Sequence, residues 1–120
     1  MTSTVGRLIV NADDWGRDPK TTDQTLECIR HRTVSSVSAM VLMEDSERAA
    51  SVALAEKIDA GLHLNLTSRF TAKNCPARLA DQHGRIAAFL RRASFAQMLF
   101  HPGLISSFEY VVNNQVDEFQ

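Results

Sequence analysis

Two adjacent carboxylates, Asp13 and Asp14, and one imidazole, His63, are the residues whose types and setting could do chemistry. The acids end the run Leu8-Ile9-Val10-Asn11-Ala12-Asp13-Asp14-Trp15-Gly16, in which three apolar residues lead straight into polar ones. Such an apolar run reads as a buried strand, and Gly16 permits a turn where it stops. In parallel α/β folds, ligands and catalytic groups gather at the C-terminal ends of strands. Successive strand residues face opposite ways, so one carboxylate can bind a metal while its neighbour takes a proton from water. Taken alone, the dipeptide is more often an Asx-type turn capping the next helix. His63 sits in Ala60 to Leu66, where Leu62, Leu64 and Leu66 alternate with Gly61, His63, Asn65 and Thr67. That alternation gives a strand with one apolar face and one polar face carrying a potential zinc ligand. A lone histidine in such a place is more often satisfied by a backbone carbonyl. Trp15 suits stacking on a sugar ring and packing at the mouth of the sheet equally well. His31, His83 and His101 have no ligand spacing with His63 and read as surface or loop residues.

The elements that must position these groups follow from periodicity. Strands are expected near 7–12, 34–42 and 60–66. Asp18-Pro19 opens a first helix, since Asp is a good N-cap and Pro suits the first helical position. Thr22, Leu26, Ile29 and Thr33 would line its inner face, with His31 and Arg32 in its last turn. Glu44-Asp45-Ser46-Glu47 opens a second helix, with Ala50, Ala53, Leu54 and Ile58 inward. The order strand, helix, strand, helix, strand argues for a parallel sheet. Residues 68–85 read as a loop or lid. Helices are expected over 86–100, on the stripe Ile86, Phe89, Ala93, Ala96 and Phe100, and over 104–120, on Leu104, Phe108, Val111, Val112 and Phe119. His101-Pro102-Gly103 separates the two. The whole reads as a single α/β domain over 1–120, incomplete as an architecture because it stops on a helix with three strands.

Composition narrows the function classes. The chain has 120 residues and a formal net charge of -1, with acids and bases interspersed. A basic field for nucleic acid is missing. The apolar runs are too short to span a bilayer. The N-terminus lacks a signal-peptide pattern, so a cytoplasmic setting is expected. Cys28 and Cys75 are expected to be free thiols.

Read together, Asn11-Ala12-Asp13-Asp14-Trp15-Gly16 and Gly61-Leu62-His63-Leu64-Asn65-Leu66-Thr67 resemble the two N-terminal motifs of the YdjC-like carbohydrate deacetylases. That family includes chitooligosaccharide deacetylase and a hopanoid-biosynthesis-associated branch. Thr33 to Met40 is similar to its second strand, and Leu79 to Ile86 to its Asp- and Gly-containing loop. Glu109 to Gln115 is similar to the helix before its third motif. The resemblance implies the N-terminal part of a distorted (β/α) barrel, a divalent metal (Mg2+ or Zn2+), and hydrolysis of an N-acetyl group on an amino sugar or oligosaccharide. It implies Asp14 and His63 as metal ligands and Asp13 as the general base. It gives Asn11, Trp15 and Asn65 supporting or substrate-contacting roles.

The chain departs from the family pattern at Trp15, where Phe is usual, and at Asp23-Gln24-Thr25 in the first helix. The family's third motif, a His-x-His strand supplying a third metal ligand, has no counterpart here. The expectation is therefore a chain that stops before that motif, with self-association covering its open sheet. The alternatives are a non-catalytic deacetylase-like association module and, against the lack of a Gly-rich phosphate loop, a metal phosphoesterase.

Overall fold

A computed structural model describes residues 6–92 and 102–120. Its elements are β1 (Asn11–Trp15), α1 (Pro19–Arg30), β2 (Ser36–Ala39), α2 (Ser46–Glu56), β3 (Asp59–Leu62), α3 (Ala77–Arg91), a 3-10 turn (Pro102–Leu104) and α4 (Ile105–Phe119). The sheet is parallel, in the order β1-β2-β3. Its register sets Asn11 beside Ser36 beside Asp59, and Ser38 beside Gly61.

Each strand contributes small or apolar residues to one face. Ala12, Val37, Ala39 and Ala60 pack with Trp15, with Leu26 and Ile29 of α1, and with Ala49 and Val52 of α2. The other face carries Asn11, Asp13, Ser36, Ser38 and Gly61, and neither α1 nor α2 covers it. A second core lies beyond the strand ends. Met40 to Met43, Phe70, Leu79 and Ile86 of α3 and Val111 of α4 form it. Full burial of Ile86 or Val111 stabilises the fold by about 1.5–3 kcal/mol each.

The α1 start is as its sequence dictates. Asp18 is the N-cap and its carboxylate accepts the Thr21 N–H at 2.8 Å, with Pro19 in the first turn. That bond, then the Arg17 guanidinium, lowers the Asp18 pKa to about 2. Thr22 is buried and joins the turn to the helix, accepting the Gly16 N–H and donating to Asp18 O.

Several expected boundaries shift. The first strand, expected near 7–12, occupies Asn11–Trp15, while Leu8 and Ile9 are 83% and 76% exposed. Pairing decides this over hydrophobicity, because β2 begins opposite Asn11 and offers no neighbour to the residues before Val10. The stretches expected near 34–42 and 60–66 pair only over Ser36–Ala39 and Asp59–Leu62. The region expected as a loop or lid contains the first half of α3. Its inward stripe is Leu79, His83, Ile86 and Ala87, and a histidine within the stripe conceals the period. On the α2 side Ala49, Val52, Ala53 and the following Ile58 pack inward, so Ala53 and Ile58 lie as expected, while Ala50 and Leu54 are exposed. Thr33, His31 and Arg32 lie past the end of α1. The expectation of a helix through Ala93, Ala96 and Phe100, and the placement of His101, fall outside the described residues.

Candidate metal and acid-base site

β1 ends in a bulge against β2, and His63, just past the end of β3, reaches it. Strand pairing runs from Ala12 opposite Val37 to Trp15 opposite Ala39, so β1 has an extra residue there. Asp14 takes it up with φ of 64°, in the left-handed region that Asp tolerates better than most residues. The chain then turns at Gly16, whose φ is 87°. A Cβ on Gly16 would stand 3.2 Å from Met40 O and from Ala49 Cβ, so the turn requires glycine twice over.

The bulge re-aims Asp14. Its Oδ1 lies 3.5 Å from His63 Nδ1, with each side chain about one-third exposed. Its Oδ2 is held by Arg17 Nη1 at 2.8 Å. The Asp14 N–H points at the same His63 Nδ1 over 3.4 Å. One ring nitrogen cannot both accept from that N–H and donate to Oδ1, and both contacts are long. With Nδ1 unprotonated, the imidazole lone pair and Oδ1 form a facing pair of donors. A tetrahedral cation with bonds of about 2.0–2.2 Å sets two ligand atoms roughly 3.4 Å apart, so this pair fits two positions around one ion. Among the described residues no group of three His, Cys, Asp or Glu side chains is placed to hold a metal.

Asp13 has a different setting. It is exposed, and its Oδ1 accepts from Asn11 Nδ2 at 2.9 Å. Asn11 is fixed in turn by Ser38 Oγ, which accepts from the same Nδ2, and by Ser36 Oγ, which donates to its Oδ1, both at 2.9 Å. These bonds span β1 and β2 on the open face. Asn11 therefore orients Asp13, and among the described residues the other Asp13 oxygen has no protein partner. A carboxylate held at one oxygen and free at the other is arranged to accept a proton from water or substrate.

The chain's similarity to known proteins bears on this geometry. The YdjC-like protein family matches residues 7–120. The chain belongs to the YdjC-like family. A carbohydrate deacetylase of Mus musculus is 41% identical over 61 residues, which cover 51% of this chain and 20% of that relative. A carbohydrate deacetylase of Homo sapiens is 39% identical over 61 residues, covering 51% of the chain and 19% of the relative. The matched segment thus spans about a fifth of the length of these curated relatives. No solved structure matches.

Within this YdjC-like chain, two residues given supporting roles lie elsewhere. Trp15 is 1% exposed and donates from Nε1 to Ala49 O at 3.1 Å. It ties the β1 exit to α2, and its ring has no face for a sugar. A groove of about 620 Å³ runs past it between α2 and the end of α4, and Asp13, Asp14 and His63 are not in its lining. Asn65 does not share the open face with His63. It is 4% exposed, and its side chain accepts from Thr67 and Ser68 N–H and donates to Ser68 O. The alternation expected of Leu62 to Thr67 stops because this Asn builds a turn of its own.

His83, read from sequence as a surface or loop residue, is 3% exposed on α3. Its Nε2 lies 3.1 Å from Asn65 O, and its ring packs on Phe70 at 4.3 Å between centroids. Burial lowers its pKa, against the opposing pull of the Asn65 carbonyl. Arg17 and Gln115 were not singled out by sequence. The first is marked only by following the acid pair. The second is a polar residue in the buried stripe Ser107, Val111, Gln115 of α4. Cys28 and Cys75 are free, as expected. Among the described residues no helix is long and apolar enough to cross a membrane.

Proposed function

We propose that Asp13, Asp14 and His63 belong to a metal-dependent site that removes the acetyl group from an N-acetylated amino sugar. The observation that carries this reading is the convergence of Asp14 Oδ1 and His63 Nδ1 to 3.5 Å beside an oriented, exposed Asp13. It is supported by membership of a family whose relatives include carbohydrate deacetylases. Asp13, Asp14 and His63 then stand at the C-terminal ends of strands that begin a distorted (β/α) barrel, where such sites collect.

In this reading Asp14 and His63 hold a divalent cation, Mg2+ or Zn2+ by the mixed oxygen and nitrogen donor set. When bound, the cation supplies Lewis acidity to the acetyl carbonyl. Arg17 keeps Asp14 Oδ2 engaged, leaving Oδ1 as the oxygen that would bind a cation. Asp13, oriented by Asn11, takes a proton from water as the water oxygen attacks the acetyl carbon. The C–N bond then breaks as Asp13 returns that proton to the departing nitrogen, releasing the amine and acetic acid. A carboxylate in this role contributes about 10²–10⁴-fold.

Two measurements on the whole chain test the proposal. Calorimetric titration with Mn2+ or Zn2+ should show a site that Asp14→Asn and His63→Ala each abolish. Acetate release from N,N'-diacetylchitobiose should fall by about 10²-fold or more in Asp13→Asn, with ion binding retained. An ion bound equally well without Asp14 and His63 would overturn the proposal. So would release of phosphate from a phosphomonoester in place of acetate.

A second reading has one observation in its favour. Among the described residues a third ligand is missing, which suits a non-catalytic module that works by association. A wild-type chain that binds no ion and sediments as a defined oligomer would favour it.

A further inference from the structure

The exit of β3 is organised well past the last paired residue of the strand. The His63 N–H still donates to Ala39 O at 2.8 Å. Two residues later the Asn65 backbone meets a side chain from α4. The Asn65 N–H donates to Gln115 Oε1 at 2.8 Å, and Gln115 Nε2 donates to Asn65 O at 3.0 Å. An amide that offers an acceptor and a donor to the N–H and C=O of one residue reproduces the pairing a neighbouring strand would give. The rest of Gln115's hydrogen bonding is a 3.5 Å approach to Val111 O.

Gln115 occupies a costly position for its type. It is 0% exposed, one turn from Val111, which is also 0% exposed. Glutamine is rarely buried in full, and an amide there is tolerated only when its hydrogen bonds are made. An apolar side chain would serve the packing of α4 at least as well. The amide at this position is therefore accounted for by what it holds.

What it holds adjoins His63. The imidazole makes its described polar contacts through Nδ1 alone, to the Asp14 N–H and Oδ1, both long. Among the described residues no polar partner on the Nε2 side steers the ring, so its direction is inherited from the backbone of 63–65. That backbone is fixed at one end by Ala39 and at the other by Gln115, with His83 adding a second donor to the Asn65 carbonyl. We propose that Gln115 is a positioning residue for His63, clamping Asn65 so that the imidazole is held facing Asp14 before any ligand arrives. This rests on the reading of His63 as a cation ligand, and it adds that α4 helps to set the site.

The test separates positioning from mere stapling of α4. Gln115→Met keeps the bulk and removes both clamp bonds. Val111→Ala loosens the same helix and leaves the clamp intact. In the ion-free protein, imidazole NMR resonances of His63 should shift and broaden in Gln115→Met and stay at wild-type positions in Val111→Ala. Mn2+ affinity should fall about 10-fold in the first variant, the loss typical when a ligand's supporting partner is removed, and less than 2-fold in the second. Should Gln115→Met not fold, Gln115→Asn, which withdraws the same amide by one methylene, is read the same way. Wild-type His63 resonances in the folded clamp variant would overturn the proposal, as would equal changes in both variants. A wild-type chain whose His63 resonances ignore Mn2+ overturns the cation reading instead, and the ion-free comparison still decides the role of Gln115.

Discussion

The exit of β1 and the exit of β3 handle polar residues in opposite ways. At the first, Asp13 and Asp14 stand on an open face with few and partly long contacts, and Asp13 keeps one oxygen free. At the second, Asn65, His83 and Gln115 are all nearly or fully buried, and their polar atoms are bonded to one another or to nearby backbone. No buried side-chain polar atom among the described residues lacks a partner. Satisfied buried networks rigidify a fold, whereas groups left partly unsatisfied at a surface are available to a ligand. The two regions touch through His63, which leaves the buried one and faces the open one.

The largest effect that could break this contrast is on stability. Asn65→Ala removes three side-chain hydrogen bonds in a buried turn, and urea unfolding should show a loss of about 2–4 kcal/mol. Asp13→Asn, on the open face, should leave the unfolding midpoint where it was. Equal losses would erase the distinction between the regions. Gly16→Ala sharpens it from the other side. The positive φ and the close Met40 carbonyl should cost about 1–3 kcal/mol, and the strain should be felt at Asp14, two residues before it. An alanine variant of wild-type stability would show that the turn has another conformation.

The smallest effect is confined to acid pH. His83 has its pKa lowered in the fold, by burial and by the nearby Arg91, so below about pH 6.5 the unfolded chain takes up this proton more readily than the folded one. The His83 contribution to stability is therefore complete above that pH and declines as pH falls through it. The slope of the urea midpoint between pH 7 and 5 should be shallower in His83→Phe than in wild type. An unchanged slope would mean that His83 is solvated rather than buried.

How far the sequence could be read depended on what each residue answers to. Asp18-Pro19 marked the start of α1 because capping is local chemistry. The first strand was displaced because apolar content does not report pairing partners, and Leu8 to Val10 have few. The early part of α3 was hidden by His83, a histidine doing a core residue's work. Asn65 and His63 share a strand period in the sequence but part company in the structure, because a side-chain turn interrupts the strand between them. The family motifs marked Asp13, Asp14 and His63 directly. Asn11 and Arg17 orient the two acids from nearby, whereas the device proposed to set His63 comes from a distant segment. Gln115 is 50 residues from the Asn65 it grips.

The bulge at Asp14 has a consequence for how this segment can vary. Without it, consecutive acids would straddle the sheet like the two sides of a coin. With it, they become a pair of tines on the same side, and the spacing of the fork is one surplus residue. Removing Asp13 or Asp14 would restore a regular ribbon with a single acid on the open face. The doublet therefore tolerates changes of neighbour far better than a change of count.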